Sequence, residues 1–169
     1  MLFRSRNVVT IEDPVEYQID GVTQIPINSE QGNTFSGVLR SVLRQDPDVI
    51  LVGEIRDSDT AKIAMQASMT GHMVMSTVHA KDTLGTVFRL LDLGIEPYLI
   101  ASALNVVLAQ RLVRSLCPKC KAETRPTSQQ QMKMGRSAEG LSRVYLPEGC
   151  KACLQTGYFG RRAIFEMLH

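Results

Sequence analysis

Two short cysteine motifs, Cys117-Pro-Lys-Cys120 and Cys150-Lys-Ala-Cys153, constrain this chain more than any other feature, because residues 121–149 must close into a loop between them. A two-residue gap lets both sulfurs of a pair approach one ion. Two such pairs make a closed tetrahedral set of soft thiolates suited to zinc. Lys119, Lys121 and Lys151 favour thiolate over thiol at these positions. Four sulfurs leave no place for water on the ion, so its role is structural rather than catalytic. Residues 121–143 are polar and poor in β-branched side chains, and a metal would staple them in place of the core they cannot form. The competing reading is four reduced or redox-active cysteines. A secreted disulfide framework suits the spacing less well.

Composition excludes several function classes. With 169 residues the chain has room for one domain, or a domain with a small appended module. Hydrophobic residues at 44% and charged ones at 21% are the balance of a globular chain and not of a disordered one. Nineteen basic against 17 acidic residues, with no Trp, offer neither a broad basic surface nor a stacking platform for nucleic acid. The longest weakly polar stretch, Tyr98 to Ala109, is interrupted by Ser102 and Asn105 and is too short to span a bilayer. Arg4, Arg6 and Asn7 break up any apolar run of the kind a signal peptide needs. A cytoplasmic α/β domain with a metal clip is the expectation.

Asn7 to Ile11 is short and β-branched, and Pro14, which cannot donate to a ladder, should end that strand. Tyr17 to Ile27 alternates around Asp20-Gly21, which predicts a hairpin, and residues 28–33 read as a loop. From Thr34, a candidate N-cap, Phe35, Val38, Leu39, Val42 and Leu43 share one helical face, with Arg40 and Arg44 opposite. Asp46-Pro47 should stop that helix. Val49 to Val52 is uninterrupted and apolar, like a strand covered on both faces of a parallel sheet. Asp59 is the expected cap of a helix over Thr60 to Met69, and Met73 to Thr77 another buried strand. A third helix near Thr83 to Leu93 should bury Leu84, Val87, Phe88 and Leu91 and stop at Gly94. Pro97 begins a fourth, and Val106 to Val113 should return to the sheet. Gly157 to Gly160 reads as a turn, and Ala163 to Leu168 as one more element. Alternating strands and helices predict an α/β fold with a doubly wound, mostly parallel sheet.

Charged groups follow three of the strands: Glu12 and Asp13 the first, Glu54 the second and His79 the third. In an open parallel sheet, ligands bind beyond the carboxyl ends of the strands, so these side chains should converge on one crevice. Carboxylates there suit Mg²⁺ held through its waters, or activation of an attacking water. Asp48 to Glu54 resembles a Walker B strand with Gly53 where many P-loop ATPases carry aspartate; a core strand ending in a solvated glutamate is the plainer reading. His72, at a helix-to-strand turn, reads equally as structural or functional, whereas His79 is better placed to reach a phosphate. His169 is terminal and uninformative. Arg40 and Arg44 read either as a solvated face or as arginine fingers toward a neighbouring subunit's nucleotide, and Arg56 and Arg89 carry the same two readings.

Taken as a set, these segments resemble a known superfamily. Asn7 to Tyr17 is similar to the aspartate box of the secretion ATPases, Leu43 to Asp57 to their atypical Walker B segment, and Thr70 to His79 to their histidine box. Ala109 to Arg114, the four cysteines and Gly157 to Arg161 follow in the same order. Type II secretion ATPases are the nearest likeness, and pilus-extension ATPases of type IV pili share almost every motif. The resemblance implies a RecA-like P-loop ATPase core over residues 1–114, a tetracysteine zinc subdomain over 115–156, and the start of the C-terminal part of the motor over 157–169. It implies a hexamer that hydrolyses ATP in the cytoplasm, peripheral to the inner membrane, and pushes on platform proteins so that pilin-like subunits assemble. Glu12 would hold Mg²⁺ or its waters, within an aspartate box that includes Asp13. Glu54 would polarise the attacking water or hold Mg²⁺. His79 would sense the γ-phosphate with His72 in support, and Arg40, Arg44, Arg56 and Arg89 would lie at nucleotide or subunit contacts. Gly53 agrees with the family pattern.

One departure is large. A phosphate-binding loop needs Gly-x-x-x-x-Gly-Lys-[Ser/Thr], and Lys62, Lys81, Lys119, Lys121, Lys133 and Lys151 all lack a preceding glycine. The chain therefore reads as a motor fragment that binds ATP weakly. The alternative is a zinc-clipped docking module without catalysis of its own.

Overall fold

A computed structural model describes residues 6–28 and 32–169; part of the loop expected over 28–33 lies outside them. Its central element is β1 (Val8–Glu12), flanked by β2 (Thr23–Pro26) and β3 (Val49–Val52), with β4 (Met73–Ser76) beyond β3. The order β2-β1-β3-β4 is parallel throughout. The pairs Ile11↔Val52 and Val52↔Ser76 bring the carboxyl ends of β1, β3 and β4 to one edge of the sheet. At the opposite edge, Asp48 accepts from the Asn7 N–H at 2.7 Å and from Arg6 at 3.1 Å, which fixes the register of β3 on β1.

One face of the sheet carries the core. Val9, Ile11, Ile50 and Val52 pack against α1 (Phe35–Val42), α2 (Ser58–Met69) and α4 (Pro97–Ala103) through Phe35, Leu39, Ala61, Met65, Leu99 and Ile100. Each of these side chains larger than alanine contributes about 1.5–3 kcal/mol of transfer free energy, so this face is what holds the domain together. α3 (Thr83–Asp92) starts on an Asp82 cap, and Thr83 donates its N–H at 3.3 Å, and its hydroxyl, to Glu166.

Contacts divide the chain into one unit of residues 1–109 with 166–169 and another of 110–165. The boundary falls five residues before the 114/115 junction read from the sequence. In the second unit β6 (Ala122–Thr124) pairs antiparallel with β7 (Val144–Leu146), and α5 (Ser128–Met134) begins on a Thr127–Gln130 capping box. β5 (Val107–Leu116) pairs with β8 (Tyr158–Leu168) in a two-stranded sheet of their own. Among the described residues, no helix is long and apolar enough to cross a membrane.

Several expectations need correction. The stretch from Tyr17 to Ile27 is not a hairpin, because residues 17–19 form no strand to pair with β2 across the turn at Asp20-Gly21. Backbone groups that an antiparallel ladder would need, the Tyr17 carbonyl and the Ile19 N–H, are bonded instead to the side chain of Gln24. Asp57, not Asp59, caps α2, accepting from the Thr60 N–H at 2.8 Å. β4 is an edge strand with Met73 60% and Met75 41% exposed, so it is not buried on both faces. β5 does not return to the four-stranded sheet, since its partner is β8. On α3 the buried positions are Thr83 and Leu90, while Leu84, Phe88 and Leu91 face outward.

Candidate functional site

The carboxyl edge of the sheet is built by close backbone crossings. The Gly53 N–H donates to the Ile11 carbonyl at 2.8 Å, the Ile55 N–H to Thr77 at 3.0 Å, and the Thr77 hydroxyl to the Gly53 carbonyl at 2.7 Å. A Cβ on Gly53 would stand 2.9 Å from the Ile11 oxygen, closer than side chains tolerate. This is why glycine, and not an acid, fills the last position of the Walker B-like strand: the chain crosses β1 there, and the acidic side chain comes one residue later.

Glu54 has a basic side chain on each oxygen. Arg56 reaches Oε1 at 2.5 Å and His79 Nε2 lies 3.2 Å from Oε2, an ion pair when the imidazole is protonated. Arg56 also approaches Asp13 at 3.9 Å. The Arg56 hydrogen bond, helped by its charge and by His79, holds the Glu54 carboxyl below the usual carboxylate range. Glu54 is 14% exposed and His79 86%, so the imidazole is the part of this pair that faces solvent. At the end of β1, Glu12 Oε1 accepts from the Thr10 hydroxyl at 2.5 Å and from Gln24 Nε2 at 2.9 Å, and these two bonds lower its pKa.

Glu12, Asp13, Glu54, Arg56 and His79 are thus brought to one edge. His72 is not: its Nδ1 lies 3.0 Å from the Ala67 carbonyl and 3.2 Å from Thr70, closing the end of α2. Arg44 folds back on its own helix, onto the Arg40 carbonyl at 3.0 Å and the Ser41 hydroxyl at 3.2 Å. Arg40 and Arg89 are exposed on α1 and α3. Sequence reading missed Thr10, Gln24 and Thr77. Thr10 was within reach, because strand alternation puts it on the face of Glu12. The contact from Gln24 depends on the path of the chain between residues 13 and 22 and has no local signature.

The four cysteines meet as their spacing requires. Their sulfurs all lie within 4.8 Å of one another, with Cys117–Cys150 at 3.9 Å and Cys120–Cys153 and Cys150–Cys153 at 3.8 Å. A tetrahedron with Zn–S bonds of about 2.3 Å has edges of about 3.8 Å, so the thiolates fit zinc. They stand far outside the roughly 2.05 Å of a disulfide. Cys153 Sγ accepts the N–H of Cys150 at 3.2 Å and of Gly157 at 3.3 Å, hydrogen bonds that favour thiolate. Gly157 has φ 75°, and a Cβ there would collide with Pro147 at 2.5 Å.

An open parallel sheet with Glu12, Asp13, Glu54, Arg56 and His79 at its carboxyl edge is a RecA-like α/β arrangement, in which ligands bind beyond the strand ends. Comparison with known proteins agrees. The structure matches the crystal structure of the pilus retraction motor PilT with bound ADP at a TM-score of 0.58 and 31% identity, over 83% of this chain and 37% of that one. The sequence is 51% identical over 165 residues to the type II secretion system protein E of Aeromonas hydrophila, covering 98% of this chain and 33% of that protein. It is 49% identical over 165 residues to the type IV pilus assembly ATPase PilB of Thermus thermophilus, covering 96% of this chain and 19% of that protein. The family described as type II/IV secretion system protein matches residues 1–169, and the chain belongs to it. It spans a third or less of the length of these two curated relatives.

Proposed function

We propose that this chain forms the hydrolytic edge and the zinc-clipped module of a secretion motor ATPase that drives pilin-like subunit assembly in type II secretion. The reading is supported by the position of Glu12 and Glu54 at the carboxyl ends of adjacent parallel strands, with His79 on Glu54. Glu54, oriented by Arg56 and His79, polarises the attacking water, and Glu12 holds the waters of Mg²⁺ beside Asp13. His79, largely exposed, meets the γ-phosphate when nucleotide is bound. His72 supports that segment from the end of α2. Arg40, Arg44, Arg56 and Arg89 serve nucleotide or subunit contacts in a hexamer. Pilus extension is the second reading, supported by the 49% identity to a pilus assembly ATPase.

No Gly-x-x-x-x-Gly-Lys-[Ser/Thr] occurs in these 169 residues, so in this reading another segment of a longer protein grips the phosphates. Residues 115–156 hold structural zinc and dock to inner-membrane platform proteins, keeping the motor cytoplasmic and peripheral at that membrane. In the longer protein, Glu54→Gln should retain nucleotide and lose turnover by ~100-fold or more. Nucleotide retention with wild-type turnover would remove Glu54 from the role.

A further inference from the structure

Thr10, Glu12 and Gln24 share one face of the sheet. Thr10 and Glu12 are two residues apart on β1, and Gln24 is the register partner of Thr10 on β2. The Gln24 carboxamide has three partners: Nε2 lies 2.9 Å from Glu12 Oε1 and 2.9 Å from the Tyr17 carbonyl, and Oε1 lies 2.8 Å from the Ile19 N–H. A carboxylate and a carbonyl only accept, and a backbone N–H only donates. Only one orientation of the amide satisfies all three, and a flip would break every bond. Residues 17–19 therefore lock the amide with a donor aimed at Glu12. Thr10, 4% exposed, adds its hydroxyl to the same oxygen at 2.5 Å.

We propose that Gln24 is a positioning residue for Glu12: its locked carboxamide, together with Thr10, holds that carboxylate in one orientation at the end of β1. Two donors on one oxygen favour the charged form and restrict its rotation. A carboxylate so held accepts from a cation's water without first losing rotamer freedom. The inference rests on the role proposed above for Glu12, and it places a determinant of the reaction on β2, outside the motifs that carry the family resemblance.

The test follows the Glu12 side-chain carboxyl by ¹³C NMR from neutral to acid pH in the full 169-residue chain, in wild type, Gln24→Ala, Gln24→Glu and Thr10→Val. Gln24→Glu keeps an acceptor for the Ile19 N–H but sets a second carboxylate against Glu12, so it reports even where Gln24→Ala loosens residues 17–22. The Glu12 midpoint should rise by about one pH unit in Gln24→Ala and by more in Gln24→Glu, with the amide spectrum of β1, β3 and β4 unchanged. In the longer protein, the acid limb of the pH–turnover profile should move up by the same amount over the pH range in which circular dichroism shows the variant still folded, since acid-promoted unfolding would move that limb too. A Glu12 midpoint unmoved in both Gln24 variants, with a native spectrum, overturns the proposal. Wild-type turnover in Glu12→Gln would instead contradict the proposed function, while the titration decides the hold of Gln24 on Glu12 by itself.

Discussion

Glu54 is the residue on which the electrostatics of the site converge, and Arg56 is its strongest partner at 2.5 Å. Because Arg56, then His79, lowers the folded-state pKa of Glu54, the unfolded chain takes up its proton first as pH falls. The pair's stability is present above the ordinary carboxylate value of about 4.3 and is lost as pH drops through the lower folded value. Glu12, lowered by Thr10 and Gln24, adds to the same acid limb. Melting temperatures of the chain should therefore fall on acidification below about pH 5, and Arg56→Ala should make that fall shallower by removing the Glu54 share. Superimposable pH profiles for wild type and Arg56→Ala would show that the ion pair carries no linkage. Glu12, Asp13, Glu54 and His79 were legible as candidates because each follows a short apolar strand. That Arg56 would hold Glu54, while Arg44 would fold onto its own helix, was not legible, since long flexible side chains on exposed faces have no positional code.

At the scale of elements, the strands and helices of the first unit follow their sequence signals, and the differences lie in which face or partner each one takes. On α3, Thr83, Val87 and Leu90 form one stripe at helical spacing, and Leu84, Phe88 and Leu91 form the next. The sequence pattern marks both stripes as apolar, and only packing decides that the first carries the buried residues. Two aspartates stand at the start of α2. Asp57 binds both the N–H and the hydroxyl of fully buried Thr60, a cap worth about 1 kcal/mol, while Asp59 sits in the first helical turn. The run from Tyr17 to Ile27 fails as a hairpin for a related reason: alternation marks two arms about Gly21 without saying that the first will bond a side chain instead of a strand. Gln24 takes up the backbone groups of the crossing chain, and that tie becomes visible only once β2 lies parallel to β1.

At the scale of the molecule, the two units are stabilised by different physics. The first has a sheet-and-helix core, whereas among the described residues of 110–165 the only buried apolar side chains are Cys117 and Cys153. Apolar burial of that size cannot offset chain entropy, so the zinc proposed for the four cysteines is what would hold the second unit folded. Purified protein should carry about one zinc per chain. Chelation should abolish the β6–β7 pairing seen by amide exchange while leaving β1 to β4 protected. Less than half an equivalent, with no recovery on adding zinc, would contradict the assignment. The central claim concerns the sheet edge in the first unit, where Glu12 and Glu54 are read as parts of one hydrolytic site. Its most direct test is ATP turnover of the longer protein carrying Glu12→Gln, Glu54→Gln and both, with nucleotide binding measured alongside. Each single variant should retain nucleotide and lose turnover by ~100-fold or more, and the double should lose little beyond the worse single, as groups acting in one step do. Near wild-type turnover in either single, or a double whose loss is the product of the two, would contradict it.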